Sequence, residues 1–282
     1  MMQRLAVIVL SLFVIVGCSN RIGYRFADTF IAWKLADYVA LSGKLDDEVS
    51  ASISELHRWH AQTQLPIYRA HLAELRLLII NDDLTETDIS RYSDTMASWW
   101  ETIRVRVEPY ALRYLPALSE PQRRKIIDKI QSDIDEEKDE INTTEFAEVL
   151  KRRQKRMENT LADALGRLES GQLRYLRRWI QQREDLRLTW LDYQQLWLDE
   201  FSTVLLALEQ PQYQQRLQAL IIEPEQMRSE DLQQAIDRSR EATFIMLYSI
   251  YQSLTPKQRH KLVRTLDDYL SDLDSLIEHY AN

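Results

Sequence analysis

Glycine is scarce in this chain. There are five in 282 residues, and only Gly166 and Gly171 lie beyond position 43. Proline is nearly as rare, at seven, and cysteine occurs once, at Cys18. So few glycines leave little material for tight catalytic turns, and neither a phosphate-cradling glycine loop nor a G-x-S-x-G elbow is present. A lone cysteine excludes an internal disulfide. No run of β-branched and aromatic residues is bounded by turn residues as a strand would be. Positive charge is in deficit, with 36 Lys and Arg against 44 Asp and Glu and a formal charge of −8. An acidic chain gains nothing from a polyanion, so nucleic acid is set aside as a partner.

What is present is helix. Apolar residues recur every three or four positions, which predicts an all-α fold, an extended bundle of about ten amphipathic helices. The pattern places them near 26–40, 44–63, 67–80, 86–112, 120–138, 143–165, 171–209, 212–222, 230–252 and 256–280. Pro66 is read either as the first residue of a helix or as a kink in one continuous helix. The 171–209 stretch carries a stripe of Leu186, Trp190, Tyr193, Trp197, Phe201, Val204 and Leu208 and would be roughly 60 Å long if straight. Residues 26–282 form the helical domain, with Gly166 and Gly171 marking a possible division into two halves near 166–171.

The N-terminus predicts an address. Arg4 precedes a wholly uncharged apolar core, Leu5 to Val16. That core is too short for the roughly 20 residues that span a bilayer, which marks residues 1–17 as a signal peptide. It ends in Ile15-Val16-Gly17-Cys18, which resembles a lipobox, so lipidation is expected at Cys18. Ser19 following the cysteine favours the outer membrane in that resemblance. Loss of residues 1–17 removes Arg4 and leaves the chain one charge more negative. Residues 18–25 are read as a short lipidated tether, reaching roughly 25 Å if extended.

One phrase is written several times. "LTPKQRHKLVRTL" from Leu254, "LSEPQRRKIIDKI" from Leu118 and "LESGQLRYLRRWI" from Leu168 share a leucine, a glutamine four residues later, and apolar residues at offsets eight and twelve. Thr255 with Gln258, and Ser119 with Gln122, have the spacing of a capping box, with Pro256 and Pro121 in the first turn. "LTETDISRYSDTM" from Leu84 and "LSGKLDDEVSASI" from Leu41 are weaker echoes. The phrase is a start signal for an amphipathic helix.

Two resemblances follow from these residues. Leu254-Thr255-x-x-Gln258 resembles the L-T-x-x-Q motif of small periplasmic chaperones and stress regulators of the Spy and CpxP type. More widely, the lipobox, the aromatic first helix "FIAWKLADYVAL" and a W-H-x-x-x-x-L-P-x-Y motif (Trp59, His60, Leu65, Pro66, Tyr68) are similar to a family of proteobacterial lipoproteins, domain of unknown function 6279. That resemblance implies location and a helical fold, and no activity.

Candidate chemistry is thin. His57, His60 and His71, with Glu74, have spacings that one helix face could bring to a zinc ion, although Pro66 interrupts the register. Surface or half-buried histidines are the simpler reading, and no cofactor or metal is assigned. The Asp82 and Asp83 carboxylates read as a solvated loop. The acidic block 133–140 and the basic block Lys151, Arg152, Arg153, Lys155 and Arg156 read as solvated faces that pair with each other or, for the basic one, meet lipid headgroups. Trp59, His60, Tyr68, Trp99 and Trp100 are the candidate contact residues, because adjacent tryptophans cannot both enter one narrow stripe. The expected function is a non-enzymatic, lipid-anchored periplasmic protein that binds or chaperones envelope proteins. The alternative is a scaffold or accessory subunit of an outer-membrane assembly complex, and a metal-binding protein or hydrolase stands behind both.

Overall fold

The computed structural model describes residues 19–281; the signal segment and Cys18 lie outside them. Eleven α-helices follow in order: α1 Ser19–Arg25, α2 Ala27–Tyr38, α3 Gly43–Asn81, α4 Glu86–Tyr114, α5 Glu120–Thr143, α6 Phe146–Leu165, α7 Ser170–Gln181, α8 Arg187–Leu206, α9 Tyr213–Ile222, α10 Glu230–Gln252 and α11 Pro256–Tyr280. A single 3₁₀ turn, Pro224–Met227, joins α9 to α10. No strand occurs among the described residues, so the all-α expectation holds.

The helix starts are those the repeated phrase marks. Ser119 N–H donates to Gln122 Oε1 (3.0 Å), Glu169 N–H to Gln172 Oε1 (2.9 Å) and Thr255 N–H to Gln258 Oε1 (3.0 Å). Thr85 forms a complete box as well: Asp88 N–H donates to Thr85 Oγ1 (3.2 Å) and Thr85 N–H to Asp88 Oδ2 (2.9 Å). The Thr85 hydroxyl, which also donates to Asp88 Oδ2 (2.6 Å), then Arg91 (2.8 Å) and the Thr85 amide hold the Asp88 carboxyl down at about 2. The offset residues Ile126, Ile130, Leu176, Ile180 and Leu266 are buried, as one stripe per helix requires. Replacing Thr85 with alanine is expected to lower stability by about 1 kcal/mol, read as a lower urea midpoint with the slope unchanged.

Two expected boundaries differ. The pattern places helices at 44–63 and 67–80 and leaves Pro66 as a helix start or a kink in one continuous helix; α3 is the continuous helix, running through Pro66. Proline inside a helix costs about 3 kcal/mol. Here Ala61 and Leu65, at 0% and 1% exposure, pack against Leu273, Leu276 and Ile277 of α11. That burial outweighs the lost rung. α3 and α11 lie antiparallel in register: Arg69 pairs with Asp274 (2.9 Å) and Arg76, seven residues on, with Asp267, seven residues back.

Conversely, the long 171–209 helix does not exist. α7 ends at Gln181 and α8 begins at Arg187. No glycine or proline stops it; charged side chains and two different cores do. Arg183 lies over the Trp179 ring (4.4 Å) and donates to Thr243 Oγ1 (2.6 Å) on α10. Asp185 accepts from both the amide and the guanidinium of Arg187, which also donates to the Thr144 carbonyl (2.8 Å). On one side Leu176, Trp179 and Ile180 join Leu161, Leu165, Met246 and Ile250; on the other Leu191, Leu198 and Phe201 join Ile126, Ile130 and Ile134. The chain turns because its two stripes belong to separate clusters.

The 166–171 segment is a hairpin turn inside one core, since Leu161 and Leu165 before it and Leu168 and Leu176 after it share a cluster. Gly166 closes α6 with φ +84°, a value that suits only glycine at low cost. Residues 19–25, within the short tether read at 18–25, form α1, and Arg21 pairs with Asp272 of α11.

Candidate functional site

The W-H-x-x-x-x-L-P-x-Y residues converge where α1, α3, α4 and α11 meet. His60 sits in the middle of α3, 7% exposed, with both ring nitrogens matched to tyrosines. Its Nδ1 lies 2.8 Å from the Tyr24 hydroxyl of α1, and its Nε2 lies 3.2 Å from the Tyr68 hydroxyl of α3. A neutral imidazole carries one donor and one acceptor, so one tyrosine donates and the other accepts. Eight residues along α3 separate His60 from Tyr68, a rise of roughly 12 Å. The tyrosine bridges it because helical side chains lean toward the N-terminus.

His57, one turn earlier and also buried, lies edge-on to Tyr24 at 4.9 Å and to Tyr280 of α11 at 5.3 Å. The Tyr280 hydroxyl is 3.4 Å from His57 Nε2, and the Asp28 carboxylate of α2 stands 3.9 Å from its Nδ1. Tyr68 packs on Trp99 of α4 (4.3 Å), and His71 meets the edge of the same indole (5.4 Å). Trp59 carries Arg106 of α4 over its ring at 5.5 Å.

Burial sets the electrostatics. It pushes the His60 imidazole down to about 3, helped by nearby His57, and it lowers His57 as well, against the pull of Asp28. Burial raises Tyr68 to about 12 and Tyr24 further still. Both histidines are therefore neutral at pH 7 and both tyrosines keep their protons. The cluster is an uncharged hydrogen-bonded joint.

A general base needs access to its substrate and a pKa near the working pH. His60 has neither. The candidate zinc set is not gathered at one point: His57 and His60 face tyrosines, while His71 faces Trp99 with its Nδ1 3.9 Å from the Glu74 carboxylate. Among the described residues no group of three or more His, Cys, Asp or Glu side chains could hold a metal ion. Asp82 is the left-handed cap of α3 (φ 61°), bound to Arg259 (2.7 Å) and the Tyr251 hydroxyl (3.0 Å), which hold its carboxyl below the usual range. The two charge blocks pair locally along their own helices, as Lys129 with Asp133 and Arg152 with Glu148. In the surface groove along α3 and α11, Arg69 and Arg76 are already paired with Asp274 and Asp267.

Of the five candidate contact residues, His60 is buried, and Trp59, Tyr68, Trp99 and Trp100 are half-buried. Four of them join this cluster, while the cluster's ring contacts fall on Trp99 rather than Trp100. Tyr24 and Tyr280 lie outside the motif, 36 and 220 positions away from His60 in the chain. Their only local signal is membership of the inward stripes of α1 and α11.

The joint has a pH signature. His60 is near 6.5 when unfolded and about 3 when folded. The unfolded chain thus takes up a proton first as pH falls below 6.5. Stability is full above that value and is lost toward pH 3 by roughly 1.4 kcal/mol per unit. Between pH 7 and pH 5 the His60→Phe variant is expected to lose about 2 kcal/mol less than the native chain, measured by urea unfolding at each pH. Identical slopes would mean that His60 is protonated while folded.

A family model described as "Family of unknown function (DUF6279)" matches residues 37–233, a span that includes the whole W-H-x-x-x-x-L-P-x-Y motif. No curated protein and no solved structure matches the chain.

Proposed function

From the premise that this chain belongs to the DUF6279 family, whose function is unknown, we propose a non-enzymatic role. It is a lipid-anchored protein on the periplasmic side of the outer membrane that binds or chaperones envelope proteins. The observation that supports this reading best is the joint around His60. The most chemically equipped residues of the signature motif are turned inward, kept neutral, and used to clamp α1 to α3 and α11. A site built to hold the residues just after Cys18 against the body suits an anchored carrier better than a catalyst.

The chain reinforces that clamp on the surface. Arg21 of α1 pairs with Asp272 of α11 and donates to Ser271 Oγ (3.2 Å). Acyl chains on Cys18 would then leave no slack between bilayer and body. Among the described residues no helix is long and apolar enough to cross a membrane.

Two measurements test the reading. Replacing Cys18 with serine is expected to abolish fatty-acid labelling and release the chain from membranes; retained labelling would remove the anchor. A photocrosslinking residue at exposed Met96 or Leu196, in intact cells, is expected to capture envelope proteins. Many adducts together with suppression of client aggregation mean a chaperone, and one defined complex means a scaffold. A folded chain that gives no protein adduct at any exposed position would overturn both.

A further inference from the structure

The three most exposed large hydrophobic residues of the described chain sit within twelve positions of one another. Ile22, Phe26 and Trp33 are 62%, 61% and 59% exposed. Ile22 lies in α1 and Trp33 in α2, and Phe26 joins the two helices almost without interruption, since Phe30 N–H donates to the Phe26 carbonyl at 3.0 Å. Their spacing puts them on a single helical face, with exposed Thr29 and Ala36 completing it.

The opposite face is fully engaged. Tyr24 enters the His60 joint, Ala27 is buried, Asp28 approaches His57, and Leu35 and Tyr38 pack on the α5–α8 core. Tyr38 also donates to Asp133 (3.0 Å). The helix cannot roll to hide its apolar side without breaking those contacts. Single exposed apolar residues need no explanation, but a row held outward by a built joint does.

We propose that the Ile22–Phe26–Trp33 face lies in the headgroup region of the bilayer, so that α1 and α2 form an interfacial helix. This rests on the anchor reading above. The occupant is fixed by where the row begins. Ile22 is four residues from Cys18, the expected lipidation site, which follows an uncharged run from Leu5 to Val16 with Ser11 as its one polar residue. A chain attached to lipid at residue 18 keeps Ile22 within roughly 6 Å and Trp33 within roughly 22 Å of the attachment point, so a helix lying in the surface plane brings the whole row to the headgroups. Trp and Phe with flanking cations are the composition that interfacial helices use. Arg25 lies beside the row, and Lys34 Nζ stands 4.5 Å from the Trp33 ring centre.

The test uses the full lipidated chain in vesicles of three parts phosphatidylethanolamine to one part phosphatidylglycerol. An environment-sensitive dye is attached at Phe26→Cys or, as a control, at Ile245→Cys on α10, which is 50% exposed. Quenching of each dye is measured with aqueous iodide and with spin-labelled lipid. Iodide is expected to quench the residue 26 dye about fivefold less than the control, and spin-labelled lipid to quench it more. Equal iodide access at both positions, on vesicles that carry the chain, overturns the proposal and leaves the anchor standing. A chain that fails to float with vesicles removes the anchor reading and this proposal with it. Shielding that is already present without vesicles and grows with protein concentration overturns it in favour of a second copy of the chain on the same face.

Discussion

Replacing Gln258 with leucine is expected to lower the unfolding free energy by about 3 kcal/mol, more than any ordinary cap. The reason is that two copies of the repeated phrase meet. Gln172 and Gln258, 0% and 4% exposed, face each other as a paired amide, each Nε2 donating to the other's Oε1 at 2.9 Å. Each oxygen also accepts its own N-cap amide, from Glu169 and Thr255. Each nitrogen also donates to a carbonyl of the opposite turn: Gln172 to Ser253 (3.2 Å) and Gln258 to Arg167 (2.9 Å). Removing one side chain therefore strips partners from the other amide, which is buried, and from one helix start and one turn carbonyl, which are part-buried. Buried groups left without partners cost about 1–3 kcal/mol each.

The double variant distinguishes this joint from two independent caps. Once Gln172 is also leucine, the losses at the shared amide pair are not counted twice. The combined cost should fall short of the added single costs by at least about 1 kcal/mol. Urea unfolding of the native chain, both single variants and the double variant gives that number. Strict additivity, with each single change near the cost of one cap, would show that the amides do not act together.

The second large effect is at the other joint. His60→Ala is expected to cost about 3 kcal/mol, because Tyr24 and Tyr68 lose their ring-nitrogen partner and a hole opens beside Ala61 and Leu65. The more telling readout is local. Amide exchange in residues 21–35 should accelerate far more than exchange in α5 or α8, whose core shares no residue with the His60 cluster. Tyr24→Phe should move the same amides with a smaller loss of global stability. If protection of α1 and α2 is unchanged in His60→Ala, the imidazole is not what holds them down. The outward setting of Ile22 and Phe26 then has another cause.

The candidate site was half legible. Trp59, His60, Leu65, Pro66 and Tyr68 stand out as a group because they sit on one helix at fixed spacing, and four of the five candidate contact residues do lie together. Their role was not legible. Whether a histidine is a surface contact, a ligand or a neutral link depends on what stands opposite its two nitrogens. Of the His60 partners, Tyr68 belongs to the motif, but Tyr24, like Tyr280 opposite His57, comes from a helix at one end of the described chain, where no local spacing marks it. Pro66 and the 182–186 turn show the same division: local pattern left a helix start or a continuous helix open at the first and gave no break at the second, and packing decided both.

The sequence alone determined the helical class, most helix starts and the inward stripe of each helix, because capping boxes and periodic burial act within one or two turns. Only the tertiary structure decided which starts meet, which polar side chains are buried, and which face of α1 and α2 is left open. Those outcomes depend on desolvation and pairing between residues many turns apart, and short-range hydrogen bonds carry no information about such pairs.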